Sequence, residues 1–248
     1  MRTLPIALLL VAVLGCGSET PTPGPAAASN GNPSQPPDAA RNSPDQAKRV
    51  RLDRNLKGSA ALEQAIRLAA GKPDGELTSA DLEKVEELPS LNNREISDLE
   101  PLSGLTDLKD LNLRGNQIVD MTPLAGMTKL TRLLIDKNQI ADLTALEGLE
   151  SLERLQIMQN QLTDLTPLAS LTGLEALSVD ENPITDLAPL AGLQELEFLN
   201  IDRTQVDDLQ PLMGLKNLER LSILGMQRLT QAQISELQQA LPNCEIKR

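Results

Sequence analysis

LNLRGNQIVDMTPLAGMTKL, Leu111 to Leu130, is followed at an offset of 22 residues by LLIDKNQIADLTALEGLESL, Leu133 to Leu152, and again by LQIMQNQLTDLTPLASLTGL, Leu155 to Leu174. Aligning the copies shows which positions are held. One column reads Leu108, Leu130, Leu152, Leu174, Leu196, Leu218; the next reads Leu111, Leu133, Leu155, Leu177, Leu199, Leu221. A third is Leu113, Ile135, Ile157, Val179, Ile201, Ile223, and a fourth is Asn116, Asn138, Asn160, Asn182. An imperfect turn with Leu91, Ile96, Leu99, Leu102 and Leu105 precedes them. The alternating Leu-x-Leu/Ile segment predicts a short strand with its aliphatics turned inward. Strands repeated at one period stack in parallel, and their inward side chains merge into one continuous core.

The pattern is L-x-x-L-x-L-x-x-N-x-I, that of a leucine-rich repeat. The predicted fold is α/β, a leucine-rich repeat solenoid with short parallel strands on the concave face, short helical turns on the convex face, and helical caps. Composition agrees. The chain of 248 residues has no His, Trp or Tyr, and Phe198 is its single aromatic residue. A compact globule normally relies on aromatics for much of its buried area, whereas stacked aliphatic layers do not need them.

Two polar columns belong to this architecture. The Asn column (Asn116, Asn138, Asn160, Asn182) should turn its amides inward as a structural ladder, satisfying backbone groups left unpaired where the chain bends. Arg94 stands before that ladder and Thr204 after it. Asp98, Asp120, Asp142, Asp164, Asp186 and Asp208 form an acidic column just ahead of L-x-P-L or a close variant. There a carboxylate caps a helical turn whose early position suits Pro101, Pro123, Pro167, Pro189 and Pro211, with Ala145 the exception. Capping is preferred to a stripe of metal sites.

Both ends of such a stack need lids. SAALEQAIRLAAGKP predicts a helix from about Ala60 that stops at Gly71 and Pro73. Thr78 with Asp81, and Thr230 with Gln233, have capping-box spacing; Ile234, Leu237 and Leu241 share a face of the last helix. Cys244, with no His in the chain to activate it as a nucleophile, is expected in the core.

The chain divides into three regions. Residues 1–15 are read as a lipoprotein signal peptide: Arg2, then the eleven-residue apolar run Leu4–Leu14, which is too short to cross a bilayer as a helix. Residues 16–57 are read as the lipidated Cys16 and a disordered Pro-rich tether. From Ser18 to Arg49 this segment has seven prolines and no Val, Ile, Leu, Met or aromatic residue. Residues 58–248 are the repeat domain, with caps over about 58–87 and about 226–248. Formal net charge is −12 overall. Residues 1–57 carry 7 basic and 4 acidic groups, leaving 16 basic and 31 acidic in the repeat domain, a net of −15. Nucleic acid, which requires a basic footprint, is excluded as a partner.

VLGC, Val13 to Cys16, resembles the bacterial lipoprotein box, which implies lipidation of Cys16 and attachment to the membrane by that lipid. Gly17 in place of an Asp points to an outer membrane. The repeat unit N-x-I-x-D-L-x-P-L-x-x-L resembles internalin-type leucine-rich repeats. The front cap GELTSADLEKV (Gly75–Val85) and the tail LPNCEI resemble those of exported bacterial repeat lipoproteins. The resemblance implies a protein partner held on the concave strand face.

The outward strand positions are where such a partner would bind. Their first column is Asp110, Arg132, Arg154, Ala176, Phe198, Arg220; the second is Asn112, Leu134, Gln156, Ser178, Asn200, Ser222; the third is Arg114, Asp136, Met158, Asp180, Asp202, Leu224. Leu134, Met158, Phe198 and Leu224 are apolar where solvent is expected. The candidate partner-binding residues are these four with Arg132, Asp136, Arg154, Asp180, Asp202 and Arg220, since an aromatic ringed by Arg is a usual hot-spot composition. The reading is a monomeric, lipid-anchored cell-envelope scaffold that binds a protein, is not an enzyme, and uses no cofactor or metal. One alternative is a passive structural lipoprotein. Another is a calcium-dependent adhesion module built on Asp180, Glu181 and Asp202, which fall close on neighbouring strands.

Overall fold

Six alternating three-residue segments form strands at each repeat. They are β1 (Asp110–Asn112), β2 (Arg132–Leu134), β3 (Arg154–Gln156), β4 (Ala176–Ser178), β5 (Phe198–Asn200) and β6 (Arg220–Ser222), seen in a computed structural model that describes Asp53 and residues 55–248. The expectations for the signal peptide, Cys16 and most of the tether fall outside the described residues. A seventh strand, β7 (Glu245–Lys247), closes a sheet whose order follows the chain from β1 to β7, all in parallel. Within β1–β6 each residue aligns with the one 22 positions on, Leu111 with Leu133 and Leu133 with Leu155. The periodicity of the sequence is thus the pairing register of the sheet.

Behind the sheet the inward columns form one aliphatic core. Leu111, Leu133, Leu155, Leu177, Leu199 and Leu221, with Leu113, Ile135, Ile157, Val179, Ile201 and Ile223, are buried, as are the residues of the imperfect first turn. The opposite side consists of short 3-10 turns, among them Thr122–Leu124, Thr144–Leu146 and Thr166–Ser170. Each follows an Asp. The Oδ1 of Asp98, Asp120, Asp142, Asp164, Asp186 and Asp208 accepts the N–H two residues on at 2.8–2.9 Å, the first donor of the turn. In three repeats the Thr hydroxyl also donates to that oxygen at 2.6 Å. These two bonds, the hydroxyl first, hold Asp120, Asp142 and Asp164 below the usual carboxylate range.

The Asn side chains tie successive repeats together. Asn138 Nδ2 donates to Ile135 O at 2.9 Å in its own repeat and to Leu113 O at 3.2 Å in the one before, while its Oδ1 accepts from Ile118 N at 3.0 Å. Asn116, Asn160 and Asn182 repeat this arrangement. At the ends other side chains substitute. Thr204 Oγ1 donates to Ile201 O at 2.8 Å, and Arg94 Nη1 donates to Asp53 O and Leu56 O at 2.9 and 3.2 Å.

The last of these bonds moves a boundary. Residues up to 57 were expected to belong to the disordered tether. Asp53 instead accepts from Arg94, and its N–H donates to Gln64 Oε1 at 2.7 Å, so the folded body begins ahead of residue 58. Lys57 leads into α1 (Gly58–Ala69), which buries Ala61, Leu62, Ala65 and Ile66 against the first turn. Gly71, at φ 66°, ends the helix in the left-handed conformation that favours glycine. A short α2 (Ser79–Leu82) starts at the Thr78–Asp81 capping box. At the other end α3 (Gln231–Ala240) starts at the Thr230–Gln233 box and buries Leu237; Cys244 is a buried free thiol whose pKa burial pushes up.

A column of left-handed residues is invisible in the sequence. Asn93, Gly115, Lys137, Gln159, Glu181, Arg203 and Gly225 all have φ between 53° and 75°, one per repeat. Each directly precedes the residue at the ladder position and turns it inward. Gly115 has a second reason to be glycine, since a Cβ there would lie 2.1 Å from Asn93 Oδ1.

Candidate binding face

The outward side chains of β1–β6, with the residue that follows each strand by two, make the face on which a partner is expected. Its first column stays open. Arg132, Arg154 and Arg220 are exposed, and Phe198 is partly so. Arg132 Nη1 lies 2.9 Å from Asp110 Oδ2 on the aligned position of β1. The Arg220 guanidinium carbon sits 5.5 Å from the centre of the Phe198 ring, within cation–π range. Ala176, between Arg154 and Phe198, leaves the face low there.

The second and third columns differ from expectation. Leu134 is 3% exposed, Asp136 0%, Asp180 4% and Asp202 8%, so these four candidates are not solvent-facing. The reason is crowding. On the inner side of a curved stack the strands lie about 4.8 Å apart, and side chains from three neighbouring repeats converge over the middle one. Leu134 is flanked in register by Asn112 and Gln156. Met158 and Leu224 remain half-buried.

Buried carboxylates require partners, and the column supplies them unevenly. Asp136 Oδ1 accepts Met158 N at 3.1 Å, and its Oδ2 lies 2.6 Å from Arg114 Nε. Burial still pushes the Asp136 pKa up, with the Arg114 charge opposing. Asp202 Oδ1 accepts Leu224 N at 2.6 Å. Asp180 Oδ1 is buried without a hydrogen-bond partner, and burial pushes its pKa up, opposed by its own backbone N–H and reinforced by the charges of Asp202, Glu181 and Asp136.

Glu181 does not join Asp180 and Asp202. Its left-handed backbone carries the side chain onto the adjacent ridge, where it accepts from Gln159 Nε2 at 2.7 Å and from Arg203. The first of these bonds, more than the second, lowers its pKa. Among the described residues no group of three or more acidic, His or Cys side chains could hold a metal ion. The arrangement proposed for the calcium-dependent alternative is therefore not assembled.

Comparison with known proteins places this geometry. The model for leucine-rich repeats in two copies matches residues 128–170 and 150–192, so the chain is a leucine-rich repeat protein. Internalin C2 of Listeria monocytogenes is 35% identical over 75% of this chain and 80% of its own length, with a TM-score of 0.66. On that evidence the chain belongs to the internalin-like family of leucine-rich repeat proteins. The internalin inlF of the same organism is 30% identical over 75% of this chain and 54% of its own, with a TM-score of 0.69. A leucine-rich repeat protein of Leptospira interrogans is 27% identical over 68% of this chain and 45% of its own, with a TM-score of 0.60. No curated protein sequence matches the chain. The scaffold is of a type that typically serves protein–protein interaction.

Proposed function

We propose that this chain is a monomeric, lipid-anchored protein of the cell envelope that binds a protein partner on its strand face and carries out no chemistry of its own. The observation that carries the binding reading is Phe198. It is the one aromatic residue of the chain, it stands on the strand face rather than in the core, and Arg220 is stacked over it with Arg154 two strands away. An aliphatic repeat core has no use for a phenyl ring at that position, whereas aromatic and Arg side chains at the centre of a patch are what interfaces use most. The anchor reading rests on Cys16 in VLGC, and the assignment to an outer membrane on Gly17.

Two experiments test this. A photo-crosslinking residue placed at Arg154 should capture one defined protein in the native cell, and the same residue at Thr163, outside the strand face, should not. Equal bulk labelling from both positions would favour a passive structural role. Cys16→Ser should move the chain from the membrane fraction to the soluble fraction. If it still sediments with membranes at high salt, the anchor is not that lipid.

A further inference from the structure

The carboxylates of the third column follow one rule with one exception. Asp136 and Asp202 each accept the backbone N–H of the aligned residue one repeat on, Met158 at 3.1 Å and Leu224 at 2.6 Å. For Asp180 that N–H is Asp202's, and Asp202 donates it instead to Asn200 Oδ1 at 3.0 Å within its own repeat. Asp180 is left 4% exposed with Oδ1 unpartnered. Nor does a cation stand beside it. Asp136 has Arg114 in the preceding position of its column, whereas Asp180 lies between Met158 and Asp202. The nearby Arg203 is engaged by Glu181 on the adjacent ridge.

The surroundings have the same sign. The residue before each of β3–β6 is a glutamate: Glu153, Glu175, Glu197, Glu219. Over residues 153–158, 175–180, 197–202 and 219–224 there are six carboxylates against Arg154 and Arg220. The residues of β4 that align between the outward positions of β3 and β5 next to Asp180 are small, Ala176 half-buried and Ser178 buried.

We infer that the strand face receives a protein segment presenting a lysine or arginine, its cationic head at Asp180 and Asp202 and its methylene stem over Ser178 beside Phe198. This rests on the binding face proposed above and adds the chemistry of the partner. The cation supplies a counter-charge that neither Asp180 nor Asp202 has within the described residues, and a donor for the one Oδ1 the column leaves without a partner; the glutamates draw a basic segment toward the face.

The test uses the full chain and a fluorescein-labelled hexapeptide of alternating Lys and Ala, followed by anisotropy at low salt. Asp180→Asn with Asp202→Asn should weaken binding at least about tenfold. Asn keeps the bond from Leu224 N and removes only charge. Asp142→Asn with Asp164→Asn is the control, making the same change of net charge in caps that Asn also fills; it should weaken binding less than about threefold. Equal weakening by both pairs would mean that the peptide responds to net charge only, and would overturn the inference. So would stronger binding of the corresponding Glu–Ala peptide, or a rise in melting temperature with calcium chloride that Asp180→Asn abolishes, which would mark a metal site. If Phe198→Ala abolishes crosslinking to the cellular partner while Asp180→Asn with Asp202→Asn leaves both crosslinking and peptide binding intact, the face stands and the basic partner falls. If Phe198→Ala leaves crosslinking intact, the binding-face reading itself fails.

Discussion

The first two strands and the next three carry the same repeat but balance their outward charges differently. On β1 and β2, Arg132 faces Asp110 and Arg114 faces Asp136, so each charge has an opposite neighbour one repeat away. Leu134 is sealed between Asn112 and Gln156. On β3–β5, Arg154 is exposed, Phe198 is partly open, and Asp180 is buried with neither a cation nor a donor at Oδ1. The strands at the front are satisfied within the chain, whereas those behind them are not. Because the inward columns are equivalent throughout, the contrast does not come from folding requirements. The second region is therefore the part of the face to which the proposal assigns the partner.

Substitutions can break this comparison. The largest effect is expected where the two regions do not differ: inward Leu199→Ala should cost about 3 kcal/mol and lower the melting temperature clearly, as should Leu133→Ala. A loss at Leu199 much smaller than that at Leu133 would mean that the core is not continuous.

Arg114→Ala should cost about 2 kcal/mol, because it leaves the fully buried Asp136 without its counter-charge. Arg154→Ala, its counterpart in the open region, should stay within about 0.5 kcal/mol of wild type. Urea titrations of both variants would show whether the front strands are held by that pair.

Asp180→Asn should go the other way and raise stability at neutral pH by about 1 kcal/mol, since it removes a buried charge with no cation beside it and one oxygen, Oδ1, without a donor. The pH dependence has a defined sign. Burial raises the Asp180 carboxyl pKa in the folded state, so the folded chain holds that proton more tightly than the unfolded one. Stability therefore falls as pH rises from the ordinary carboxylate value through the raised one. Melting temperatures across that window should fall more for wild type than for Asp180→Asn; equal slopes would place the charge in solvent.

The smallest effects sharpen the picture. Lys137→Gly should stabilise by about 0.5 kcal/mol, because its φ of 56° suits glycine. Phe198→Ala should cost no more than about 1 kcal/mol, its ring being partly exposed, while reducing partner capture about tenfold or more. A loss of stability as large as that of Leu199→Ala would make Phe198 a core residue.

The sequence by itself determined the repeat unit, the strand register, the inward columns, the capping carboxylates and both cap helices. Those features repeat along the chain or follow from short-range chemistry: a Leu at every 22nd position can only face the same way each time, and Thr78 reaches Asp81 within one helical turn. Alternation assigns a side chain to a face, but it does not measure how closely three repeats crowd there. Only the tertiary structure could therefore bury Leu134, Asp136, Asp180 and Asp202 on the outward side. The docking of Asp53 on Arg94 and the pairing of Glu245–Lys247 as the seventh strand also join segments outside the repeat. The left-handed column was hidden because five of its seven members are not glycine and are held in place by the stack rather than by their own preference. The lone state of Asp180 was hidden for a related reason. It depends on whether one backbone N–H, that of Asp202, turns to the neighbouring repeat or to Asn200 in its own, and that is a matter of geometry within a few tenths of an ångström.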